Sequence, residues 1–137
     1  MAGIIIVAHT PLASALLDFV EHIYGNIPQN IFAVNVPPHE DVKVTLQRLQ
    51  DIVNLIGNDK EVLIMTDIVG ATPNNVAIRL ASQQLNNKIQ IITGVNLPML
   101  LRAVSHRHEP LTLVVEKSLQ GGHNGVLKIR DNNQVSI

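Results

Sequence analysis

Two side chains in this sequence have the chemistry to pick up a group and pass it on. His9 ends the apolar run Gly3-Ile4-Ile5-Ile6-Val7-Ala8, and Asp67 ends the run Glu61-Val62-Leu63-Ile64-Met65-Thr66. A neutral imidazole is a nucleophile near pH 7, because its reference pKa is about 6.5. A carboxylate bonded to one ring nitrogen fixes the tautomer and stabilises positive charge on the ring, which leaves the other nitrogen to attack. Just beyond Asp67 comes Gly70-Ala71-Thr72-Pro73, a loop that opens a helix. Backbone N–H groups at a helix start favour an anion, and the Thr72 hydroxyl adds a further donor. These parts suit transfer of a phosphoryl group onto and off a histidine, where catalysis is mostly positioning and charge stabilisation. Each part alone also reads as plain structure: a histidine at a strand end, an aspartate capping a loop, a Thr-Pro helix start.

The elements around these residues must bring His9 and Asp67 together across 58 positions. Residues 3–8 are β-branched and apolar, as a buried strand is. Thr10 is placed to cap the next helix, with Pro11 at its first position. Leu12, Leu16, Val20 and Ile23 follow at helical spacing up to Gly25-Asn26. Residues 30–36 read as a second strand ended by Pro37-Pro38. Val42, Leu46, Leu49, Val53 and Ile56 mark an amphipathic helix stopped by Gly57-Asn58. Residues 61–66 are a third strand. Thr72-Pro73 repeats the capping pattern ahead of a helix with Val76, Leu80 and Ala81 inward. Residues 88–94 are a fourth strand, and Asn96 caps a short helix carrying Leu97, Leu100, Leu101 and Val104.

Strands alternating with helices imply a parallel sheet with helices on both faces. Right-handed crossovers leave few topologies, and the flavodoxin-like strand order 2-1-3-4 fits best. In that order strands 1 and 3 are neighbours whose crossovers leave in opposite directions. A crevice opens there at the carboxyl ends, with His9 and Asp67 on its two sides. The last third is less regular. Residues 111–120 are rich in Leu and Val, as a strand would be, yet Glu109-Pro110 and Gly121-Gly122 bracket them as helix boundaries; helix is the assignment taken. Residues 125–130 alternate and read as a strand. Asp131-Asn132-Asn133 forms a turn, with residues 134–137 pairing back as a short hairpin. No repeat or linker interrupts the chain, so residues 1–137 read as one domain.

Composition narrows the rival classes. The chain carries 10 Lys+Arg against 11 Asp+Glu with no basic block, which speaks against nucleic acid as a partner. Aromatic residues make up 2%, too few for a base-stacking platform or a flavin site. No apolar stretch reaches the length of a membrane span, and the N-terminus lacks the pattern of a signal peptide. Cysteine is absent, which removes thiolate chemistry and fits a cytoplasmic protein. His106-Arg107-His108 has no second ligand cluster, so neither a metal nor a cofactor is expected. His39 follows Pro37-Pro38 near the crevice, and loop placement alone accounts for it. A receiver domain would use Asp67 as phosphoacceptor but needs an acidic pair where Ala8-His9-Thr10 stands. A serine hydrolase needs a G-x-S-x-G elbow, which is missing.

Three segments carry a resemblance over nearly the whole chain: Ile5-Ile6-Val7-Ala8-His9-Thr10, Thr66-Asp67-Ile68-Val69-Gly70-Ala71-Thr72-Pro73-Asn74-Asn75, and Gly94-Val95-Asn96-Leu97-Pro98-Met99-Leu100. In order and spacing they resemble the enzyme IIA component of the mannose class of the bacterial phosphoenolpyruvate-dependent sugar phosphotransferase system. The resemblance implies that His9 is phosphorylated on Nε2, with Asp67 on Nδ1 and with Gly70, Ala71 and Thr72 around the phosphoryl group. It implies a histidine-containing phosphocarrier protein as donor and a IIB component as acceptor. It also implies a homodimer that exchanges a C-terminal strand, for which residues 126–130 are the candidate. The mannose transporters carry aromatics at the places held here by Val69 and Asn74, a change expected to alter the surface offered to a IIB partner. The chain reads as a free-standing IIA domain with no fused IIB. Two roles stay open at this point: a carrier that feeds a sugar transporter, and a regulatory module that controls a target protein without transport.

Overall fold

The computed structural model describes residues 1–57, 59–84 and 88–130. Strand and helix alternate in chain order: β1 (Gly3–His9), α1 (Leu12–Tyr24), β2 (Ile31–Val36), α2 (Val42–Ile56), β3 (Glu61–Thr66), α3 (Thr72–Gln83), β4 (Lys88–Thr93), α4 (Leu97–His106) and α5 (Leu111–Asn124). The strands pair in parallel in the order β2-β1-β3-β4, the flavodoxin-like arrangement expected from the sequence.

The double-sided apolar character of β1 explains its central place. Ile4, Ile6 and Ala8 face a layer built from α1, α4 and α5, against Leu16, Val20, Leu100 and Val114. Ile5 and Val7 face the opposite layer of α2 and α3, against Leu49, Val53, Val76 and Leu80. Burying each of these side chains stabilises the fold by roughly 1.5–3 kcal/mol. The same strand therefore welds both layers and cannot slip without exposing one of them.

The register then places the site. On the β2 side β1 pairs through His9, opposite Val36. On the β3 side pairing ends two residues earlier, at Val7 opposite Thr66. His9 thus projects past the end of β3, where Asp67 is the next residue of the chain.

Several local expectations shift. Thr10 does not cap α1. The Thr10–Pro11 bond is cis, and Pro11 occupies the cap position without a side-chain bond. Asn35 of β2 supplies the acceptor instead, taking the Ser14 N–H at 3.1 Å and donating to the Ser14 hydroxyl at 2.8 Å. Likewise Ala71 occupies the cap position of α3, and Thr72 is its first helical residue. On α3 the inward alanine is Ala77, while Ala81 is only half-buried. Ile23, expected inward on α1, is exposed at the end of that helix. Leu12, Val42 and Leu97 are exposed as well, each at the first residue of its helix on the carboxyl side of the sheet.

Residues 111–120 are helical, and the helix runs on through Gly121 and Gly122 to Asn124. These glycines do not stop α5 because they let it press against α4. A Cβ on Gly121 would collide with the Arg102 side chain, and one on Gly122 would come within 2.8 Å of Met99 Cε. Of residues 125–130, expected as a strand, none pairs with a strand among the described residues, and all are exposed. The expected turn at 131–133 and hairpin at 134–137 lie outside the described residues.

Candidate functional site

The His9 ring and the Asp67 carboxylate meet at the carboxyl ends of β1 and β3. Asp67 Oδ2 lies 2.6 Å from His9 Nδ1 and accepts the His9 backbone N–H at 3.0 Å. Asp67 Oδ1 accepts the Ile68 N–H at 3.0 Å. Both carboxylate oxygens are therefore occupied, and the side chain cannot swing away without losing three donors. Burial pushes the Asp67 carboxyl up. The hydrogen bonds from the His9 backbone and ring, the charge of that ring and the Ile68 N–H outweigh burial and hold the group below its usual value. Exposure divides the pair by role: the Asp67 side chain is 11% exposed and the His9 side chain 53%. With Nδ1 bonded to Asp67, Nε2 is the ring nitrogen left to react.

Thr72 joins His9 on the wall of a cleft of about 340 Å³, whose other lining comes from the β2–α2 loop at Pro37, Pro38 and His39. Gly70 and Ala71 lie on the approach to α3. Gly70 has φ +83°, and its carbonyl accepts the Asn75 side chain at 3.2 Å. The first turn of α3 differs from the other helix starts. Asn35, Asp41, Asn96 and Glu61 each give a side-chain oxygen to the first turn of α1, α2, α4 and α5. Among the described residues α3 receives none. Pro73 has no N–H and the Asn75 N–H donates to the Ala71 carbonyl, which leaves the Thr72 and Asn74 N–H groups without a partner within the helix and available to an anion next to His9.

A buried polar cluster holds that helix start in place. The Thr66 hydroxyl donates to Asn74 Oδ1 at 3.0 Å and shares a 2.9 Å hydrogen bond with the Thr93 hydroxyl. Asn74 is buried, so its replacement of an aromatic does not change the outer surface as expected. Val69, 71% exposed, does lie on that surface. With Leu12, Val42, Leu97 and Ile68 it forms an apolar rim on the carboxyl side of the sheet.

The structure brings His9, Asp67 and Thr72 to one place, and it adds three supports that the sequence did not single out. Asn35 is the one polar residue of β2, a signal that the sequence offered. Asn74 gave no sign of burial, because it follows a helix-opening proline. Arg48, which nothing in the sequence singles out, donates from its guanidinium to the Asn35 carbonyl and, at 2.8 Å, to Glu40. Two larger hollows, of about 420 and 510 Å³, are lined by α4, α5 and the segment after it and contain neither His9 nor Asp67. Among the described residues no group of acidic, histidine or cysteine side chains could hold a metal, and no helix is long and apolar enough to cross a membrane.

The chain is similar to known proteins in sequence and in fold. The family model described as PTS system fructose IIA component, the mannose-type EIIA model, matches residues 3–117. The sorbose-specific EIIA component of Klebsiella pneumoniae is 33% identical over 111 residues, covering 79% of this chain and 76% of that protein. The fructose-specific EIIA component of Bacillus subtilis is 30% identical over 107 residues, covering 78% and 71%. The crystal structure of phosphotransferase system component EIIA from Streptococcus agalactiae superimposes with a TM-score of 0.86 at 32% identity, over 93% of this chain and 97% of that one. By sequence and by fold, this chain belongs to the mannose-class EIIA family and is a phosphoryl carrier of a sugar phosphotransferase system.

Proposed function

We propose that His9 is the residue that carries the phosphoryl group, on Nε2, and that the chain acts as a protein-histidine phosphotransferase. The observation that carries this reading is the 2.6 Å contact between His9 Nδ1 and Asp67, which leaves Nε2 as the free nitrogen of a half-exposed ring. The Nε2 lone pair attacks phosphorus on a phosphohistidine of the donor. The N–P bond of the donor breaks, and its electron pair returns to the donor ring. Asp67 keeps the proton on Nδ1 and balances the positive charge that the His9 ring gains. The open amides at the start of α3, with the Thr72 hydroxyl, receive the phosphoryl oxygens; Gly70 and Ala71 shape that approach. Passing the group on reverses these steps.

The partners are proteins in this reading: the histidine-containing phosphocarrier as donor and a IIB component as acceptor. The apolar rim of Leu12, Val42, Ile68, Val69 and Leu97 supports this, since such a ring suits a protein surface better than a small polar substrate. A cytoplasmic location follows from the same partners. The sugars of the relatives differ, sorbose in one and fructose in another, so they single out no sugar for this chain. A homodimer that exchanges residues 126–130 also belongs to this proposal, supported by the exposed apolar tail and the open edge of β4.

The test is labelling with enzyme I, the phosphocarrier protein and phosphoenolpyruvate. Wild type gains an acid-labile, base-stable phosphate, and His9→Ala gains none. Full labelling of His9→Ala removes the assignment. Adding candidate IIB proteins to the labelled chain then identifies the acceptor.

A further inference from the structure

The cleft beside His9 holds a second histidine. Pro37-Pro38-His39-Glu40 forms a tight turn, with the Glu40 N–H donating to the Pro37 carbonyl at 3.3 Å. Pro38 stands at the second position of the turn and His39 at the third, with φ +64°. That is the pattern of a type II turn, whose third position favours glycine because the backbone there is left-handed. Here an imidazole occupies it and lines the cleft with His9 and Thr72. Histidine is among the few non-glycine residues that enter this backbone region with some ease, so the turn can place one at the cleft wall.

The turn is braced from below. Glu40 Oε2 accepts from Arg48 at 2.8 Å and from the Thr45 hydroxyl at 2.7 Å. Arg48 also binds the Asn35 carbonyl, which ties the turn to β2. Asp41, next in sequence, is engaged in capping α2 through the Lys43 N–H. Both carboxylates near His39 are thus committed elsewhere, and so is Arg48. Asp67 is bonded to His9. Among the residues that line the cleft, His39 is the one group besides His9 that can take up a positive charge.

We propose that His39, when protonated, faces the phosphoryl group on His9 and stabilises its negative charge during transfer. This rests on the reading of His9 as the phosphorylated residue. A cation at this wall complements the open amides of α3, which would approach the same group from the other side. His9 attacks as the neutral ring and His39 assists as the cation, so a permanent cation at position 39 should serve in its place and an uncharged residue should not.

The experiment measures the transfer rate from the phosphorylated phosphocarrier by rapid quench, between pH 6 and 8.5, for wild type, His39→Gly and His39→Lys. Glycine suits the left-handed backbone, so His39→Gly should unfold at the same temperature as wild type or higher. Its transfer rate should nevertheless drop by roughly 5–20-fold. His39→Lys, which restores a cation at the same position, should recover a rate within about threefold of wild type. Taking each variant as a ratio to wild type cancels ionisations of the donor protein. Labelling at His9 with equal rates and profiles in wild type and His39→Gly overturns the role of His39 alone. Wild type that takes no label, or His9→Ala that takes full label, overturns the reading of His9 and this inference with it.

Discussion

Asp67 Oδ2 holds His9 twice, by the ring Nδ1 at 2.6 Å and by the backbone N–H at 3.0 Å. One oxygen thus fixes the ring and the strand end that carries it. Asp67→Asn keeps the shape but loses the charge that selects the Nδ1-protonated tautomer. Transfer to His9 should slow by ~10²–10⁴-fold. Single-turnover labelling checks this, with the far-ultraviolet spectrum confirming the fold. An unchanged rate would reduce Asp67 to a structural part.

The same bonds make Asp67 a source of acid sensitivity. Its carboxyl is depressed when folded, below the value of about 3.9 that it takes in the unfolded chain. The folded state therefore binds fewer protons at this group. The resulting stabilisation is complete above roughly pH 5 and is lost as pH falls through the depressed value. Urea denaturation of wild type at successive pH values should show stability falling below about pH 4. Asp67→Asn should give a flatter profile in that window. Parallel profiles would mean that other carboxylates account for the acid response.

The sheet was legible because β1 announces itself: a β-branched run buried on both faces can only be central. The pairing of His9 with Asp67 followed from topology alone, since a parallel order of 2-1-3-4 leaves these strand ends adjacent. What escaped was every interaction whose partner is distant in sequence and neutral in pattern. Thr10 looked like the cap of α1, but Asn35 from the neighbouring strand provides the acceptor. Gly121-Gly122 looked like a helix stop, because local propensity cannot report the close approach of α4 that these glycines permit. His39 looked like a loop residue, because the left-handed turn that aims it at the cleft appears only in the backbone.

Asn74 tests how far the start of α3 depends on buried polar contacts. Its side chain is buried and takes a hydrogen bond from Thr66, which is also fully buried. Asn74→Ala leaves the Thr66 hydroxyl with Thr93 as its remaining partner and opens space beside it. The loss should be about 1–3 kcal/mol by urea denaturation. Thr66→Val should cost a similar amount, and the double variant less than the sum, because the two act on one interaction. Simple additivity would show that the contact contributes nothing to stability.

The segment after α5 leaves its own fold unfinished. Val126, Leu127 and Ile129 are 76%, 62% and 63% exposed, and no strand among the described residues takes them up. β4 ends the sheet and offers an unpaired edge among the described residues. An open edge and an apolar extended segment are each costly in water, and a second copy of the chain relieves both at once. Intrachain pairing offers no such relief, because the segment emerges beside α4, where Gly125 packs against Pro98. Sedimentation equilibrium should therefore find a dimer for the full chain and a weaker dimer, or a monomer, for a chain ending at Gly125. Replacing Val126, Leu127 and Ile129 with serine should act in the same direction while keeping the length. A full chain that stays monomeric at every concentration tested would remove the exchanged strand, and the proposed site, built from β1, β3 and α3 of a single chain, would stand without it.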